Sequence, residues 1–158
     1  MLTRSSDRAG GWLLIEAMIA LTVLTVGILG FMFAFQANFK ASRELGVRDQ
    51  VQVALDSAAD VIHSTAFSSI YSSYQGATLP APGLVGSSGA PAVVTVNFDV
   101  NETTLSAEYG PVQDIDGDGA KTSTNASTSY VILPTRLTLT YQMSYGMETR
   151  TQYLLLRP

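Results

Sequence analysis

The 158-residue chain has no cysteine, so disulfide staples and thiol chemistry are excluded. Its single histidine, His63, has neither a cysteine nor a second histidine to join it in a metal centre or a catalytic pair, and it reads as a helix-end residue. A glycine-rich phosphate loop is also missing, so an enzyme would have to work with scattered carboxylates and hydroxyls, and a non-enzymatic role is expected. Basic residues are few: nine Lys and Arg against thirteen Asp and Glu leave a net charge of -4. General nucleic-acid binding, which needs a clustered basic face, is not expected. Proline does not occur before Pro80, so nothing in the first half of the chain forces a helix to break.

Charge is scarcest over residues 11–35, where Glu16 is the only ionisable side chain. Residues 12–35 are 24 in number, enough for about 36 Å of helix against a hydrocarbon core of about 30 Å. A buried core helix would be shorter and would carry a polar stripe, for which only Glu16, Thr22 and Thr25 are available. A membrane helix is therefore expected. An acid within such a helix costs about 2.5–3.5 kcal/mol at the bilayer centre and less near the interface, so Glu16 calls for a cationic or hydrogen-bonding partner. The nearest cation the chain could make is a new amino terminus four residues upstream.

Gly11-Trp12-Leu13-Leu14-Ile15-Glu16, followed directly by the apolar run, resembles the type IV prepilin signature. The continuation IALTVLTVGILG is similar to PilV-type minor pilins and, less closely, to type II secretion pseudopilins. The resemblance implies cleavage by a prepilin peptidase between Gly11 and Trp12, N-methylation of Trp12, and pairing of Glu16 with a neighbouring subunit during assembly. It further implies a pilin-like α+β fold and partnership with other pilins through the N-terminal helix. Localisation follows: a single pass through the inner membrane with a periplasmic head, then the pilus at the cell surface. Residues 1–11 become the leader, 12–64 one long helix and 65–158 a β-sheet head. Trp12 stands where phenylalanine is usual, and the helix lacks the proline of many major pilins.

The charge rule does not orient the span, because Lys40, Arg43 and Arg48 beyond it outnumber Arg4 and Arg8 before it. Orientation rests on the resemblance. A secretory signal peptide fits poorly, since its apolar core is about 7–15 residues and ends at a small-x-small site. Here Ala37 and Ala41 each follow a phenylalanine two residues earlier. The rival readings are a secretion pseudopilin and a signal-anchored periplasmic binding module. Gly27 and Gly30 suit either close helix packing or a locally melted segment.

Val47, Val51, Leu55, Ala58 and Ile62 recur at helical spacing and predict a stripe packed on a sheet. Residues 65–91, rich in Ser, Gly, Ala and Pro, read as a long exposed connection in which Tyr71 and Tyr74 either make contacts or tuck against the head. Alternation then predicts strands over 92–100, 105–109, 130–133, 136–143 and 149–156, the last two joined by a tight turn at Ser144-Tyr145-Gly146.

Residues 114–119, DIDGDG, are the one stretch outside the anchor with evident chemistry. Asp114, Asp116 and Asp118 at positions one, three and five, with Gly119 at six, match the start of a calcium loop. Ala120 would offer a carbonyl at seven and Thr122 a water at nine, but position twelve is Asn125 rather than glutamate. The competing reading is a solvated turn, since Asp-Gly occurs twice. Calcium here would be weakly held, with a Kd of about 10⁻⁴–10⁻³ M.

Overall fold

A computed structural model describes residues 7–111 and 113–158, with residues 7–11 and 88 described in backbone only. Most of the expected leader, residues 1–6, lies outside the described residues. The chain divides into two units, residues 1–43 and residues 44–158.

Helix α1 (Asp7–His63) contributes to both. Its part within the first unit is long and apolar enough to cross a membrane, and none of its most apolar window is buried. Two of its polar side chains are satisfied within the helix: Thr22 Oγ1 donates to the Met18 carbonyl and Thr25 Oγ1 to that of Leu21, both at 2.7 Å. Such back-bonding lets a hydroxyl sit in hydrocarbon without an orphan donor. Gly27 and Gly30 are helical, and a Cβ on either would meet nothing within 4 Å.

The second unit is an α+β head, with residues 44–63 of α1 packed on a four-stranded antiparallel sheet of order β1-β2-β3-β4. The strands are β1 (Thr78–Val85), β2 (Pro91–Phe98), β3 (Leu133–Met143) and β4 (Gly146–Leu156). The expected stripe is the packed face: Val51, Leu55, Ala58 and Ile62 are buried and Val47 partly so, with Ala54 and Ala59 widening it. Across from it, Ala92, Val94, Val96 and Phe98 of β2 and Leu137, Leu139, Tyr141 and Met143 of β3 point inward. Period 3.6 meets period two, each supplying one apolar surface.

The β3–β4 hairpin pairs all eleven positions from Leu133↔Leu156 to Met143↔Gly146. Only Ser144 and Tyr145 lie in the turn, and Gly146 already belongs to β4 at φ 143°. Ser144 Oγ also donates to Glu44 Oε1 at 2.7 Å, tying the turn to α1 within the head.

Three expectations need correction. Residues 65–91 are not a bare connection. They hold helix α2 (Phe67–Tyr74) and edge strand β1, whose Pro80 and Pro82 are tolerated because an edge needs fewer ladder hydrogen bonds. A register shift between Pro80 and Val85 marks the place where the prolines interrupt the pairing. Residues 105–109 are not a strand, because Ala107–Tyr109 form a 3-10 turn capped by Ser106, whose Oγ accepts from Glu108 N at 3.3 Å. Residues 130–132 precede the sheet, which β3 enters only at Leu133. Tyr71 and Tyr74 tuck against the core, Tyr71 lying 5.8 Å from the Phe98 ring.

Candidate functional sites

Two places were singled out by the sequence: the start of the apolar helix and the acidic loop. At the first, Gly11 and Trp12 are helical, and Trp12 is 77% exposed. Glu16 is also exposed and has no hydrogen-bond or ion-pair partner among the described residues. A lone carboxylate among exposed leucines, isoleucines and methionines has, among the described residues, nothing to offset its desolvation in an apolar environment.

The acidic loop belongs to the β2–β3 connection. Asp114 Oδ1 accepts from Gly117 N at 2.8 Å and its Oδ2 from Gly119 N at 2.9 Å. Asp116 Oδ1 accepts from Asp118 N at 3.3 Å, and Asp118 Oδ1 from Ala120 N at 2.7 Å. These are turns in which an aspartate captures amides two to five residues ahead. Gly117 and Gly119 supply the left-handed backbone, at φ 75° and 85°. At Gly117 a Cβ would also come within 3.1 Å of Val131 Cγ2.

The structure brings only part of the expected calcium set together. Asp114 and Asp116 converge with a third carboxylate, Glu102, with oxygen atoms within 4.8 Å of one another. Asp118 stands outside this group, and Ala120, Thr122 and Asn125 are exposed along the same loop. Asn125 Oδ1 accepts from Ser127 N at 3.1 Å. Glu102 was missed because it enters from a separate 3-10 turn, Glu102–Thr104, twelve residues upstream of Asp114, where no local pattern marks it.

Glu102 is 1% exposed, and both its oxygens are engaged. Its Oε1 accepts from Ile115 N at 2.5 Å and its Oε2 from Ser123 N at 2.8 Å. Ser123 Oγ in turn donates to Asp116 Oδ2 at 2.5 Å. That bond is the main cause holding the Asp116 carboxyl below its usual range, against partial desolvation. Three carboxylates offer the hard oxygens that calcium prefers, and an oxygen that accepts one N–H keeps a further lone pair for a cation.

A second polar cluster flanks the loop. Tyr109 donates to Asp99 Oδ2 at 2.8 Å, and Arg136 reaches Asp99 Oδ1 at 3.4 Å. Burial, reinforced by the Asp99 bond, pushes the Tyr109 hydroxyl well above its ordinary pKa. Its ring meets Tyr153 edge-on at 5.1 Å.

Compared with known proteins, the chain matches no family model, no curated protein and no solved structure.

Proposed function

We propose that this chain is a non-enzymatic structural subunit of a type IV pilus, a minor pilin. It is inserted in the inner membrane as a prepilin, cut by the prepilin peptidase after Gly11 and methylated on Trp12. It then joins other pilins through its N-terminal helix. The observation that carries the reading is Glu16: an acid without a partner among the described residues, at the fifth position of the segment that begins at Trp12, near the start of an exposed apolar helix. Such a carboxylate finds its counter-charge on another molecule, and the amine freed at Trp12 of a neighbouring copy is a cation of suitable size and place. The α+β head, with an amphipathic helix on an antiparallel sheet, agrees with this reading.

The same reading gives the acidic loop an ancillary role, binding calcium at Glu102, Asp114 and Asp116 to steady a head that has no disulfide. The assembly step is tested with Glu16→Ala in cells that make the pilus. The variant is expected to be processed normally and to remain in the membrane, absent from sheared filaments. Incorporation at the wild-type level contradicts the assigned role of Glu16.

A further inference from the structure

Among the described residues, the connection between β2 and β3 contains no strand, yet it is tied down at three places. Tyr109 is fixed to Asp99 on one side of the acidic loop, and Tyr130 donates to the Phe67 carbonyl at 2.8 Å on the other. Between them, residues 113–126 meet Glu102 at three hydrogen bonds. Its carboxylate holds the Ile115 and Ser123 amides, while its own N–H donates to the Ser123 carbonyl at 3.0 Å. Further backbone ties among the described residues are Ala126 N to Val100 O at 2.9 Å, Ser129 N to Ala126 O at 3.3 Å, and Val131 N and Ile132 N to Ile115 O at 2.7 and 3.2 Å.

The apolar contacts are also separate. Ile115 and Ala126 are fully buried, but neither belongs to the core cluster formed by α1, α2 and the sheet. The Asp114 turns lie wholly within the segment and move with it. Meanwhile the three close carboxylates repel one another, so the closed form depends on the N–H donors that meet them.

We propose that residues 113–126 are a strap that opens as a unit while the sheet stays folded, and that Glu102 is its latch. Glu102 acts by receiving the Ile115 and Ser123 amides on its two carboxylate oxygens. A glutamine at this position keeps one carbonyl oxygen and turns an N–H₂ donor toward the other amide. That amide is then left without an acceptor.

The test is amide hydrogen exchange on the full chain in detergent micelles, with and without Glu102→Gln. In the wild type, Ile115 and Ser123 amides exchange through an opening that responds little to sub-denaturing guanidinium, whereas Val94, Val96 and Leu139 exchange only through global unfolding. Glu102→Gln accelerates exchange at Ile115 and Ser123 by about tenfold to a hundredfold, and leaves the strand amides within about twofold of wild type. Equal acceleration in strap and strands, no acceleration at Ile115 and Ser123, or a variant that does not fold overturns the proposal. So does a wild-type strap that shares the denaturant dependence of the strands.

Discussion

Tyr130 and Phe67, 63 positions apart in sequence, meet twice over: the Tyr130 hydroxyl donates to the Phe67 carbonyl at 2.8 Å, and the rings lie edge-on at 5.1 Å. The same hydroxyl oxygen accepts from Tyr71 N at 3.4 Å. Helix α2 is thereby fastened to the end of the β2–β3 connection. Removing the hydroxyl alone, in Tyr130→Phe, is expected to cost about 0.5–1.5 kcal/mol. Tyr130→Ala loses the ring as well and costs more. Denaturant unfolding of both variants checks the order.

The head half of α1 separates buried from exposed positions sharply. Leu55 is 1% exposed and Val53 is 67% exposed, two residues apart on one helix. Leu55→Ala is expected to destabilise the head by about 2–5 kcal/mol through lost transfer energy and a cavity. Val53→Ala should stay within about 0.5 kcal/mol. Comparable losses at both positions would contradict the packing described.

Alkaline pH tests the Tyr109 hydroxyl, which is held neutral by burial and by its bond to Asp99. The folded state raises the Tyr109 pKa, so its contribution to stability is fully present below about pH 10, the unfolded value. It is lost as pH rises above that value toward the folded one. Between pH 9 and pH 11 the wild type should lose more thermal stability than Tyr109→Phe, which has no hydroxyl to ionise. Parallel losses in the two proteins would show that the buried Tyr109 hydroxyl does not supply the effect.

Calcium at the acidic loop predicts a ligand-dependent melt. With a Kd of about 10⁻⁴–10⁻³ M, 5 mM calcium stabilises by about 1–2 kcal/mol, a shift of a few degrees in Tm. The shift should vanish with EDTA and in Asp116→Asn, whose amide oxygen can still accept from Asp118 N while its N–H₂ faces the Ser123 hydroxyl, which can also accept. A Tm indifferent to calcium removes the metal from this account.

Much of the fold is legible in the sequence because periodicity reports burial directly. The stripe from Val47 to Ile62 and the alternations in β2 and β3 each record one buried face. Edge strand β1 was hidden because Pro80, Pro82 and Gly83 are turn residues in most contexts, and only the pairing Thr78↔Thr95 to Pro80↔Val93 makes a strand of them. Leu105 and Tyr109 suggested a strand by composition, but Ser106 Oγ captures the Glu108 amide and Tyr109 turns toward Asp99. At the acidic loop, the aspartates and glycines announce a turn. Glu102 could not be anticipated, since its place depends on a contact across thirteen residues to Ile115 and twenty-one to Ser123.

The central claim is that the chain enters the membrane as a prepilin and is cut between Gly11 and Trp12. It is tested most directly by the intact mass of the membrane-extracted protein, from cells with and without prepilin peptidase, alongside Gly11→Ala. The account predicts a chain beginning at Trp12 only when the peptidase is present and Gly11 is intact, and a full-length chain otherwise. The same mature mass in all three samples, or no shortened form in any, would contradict it.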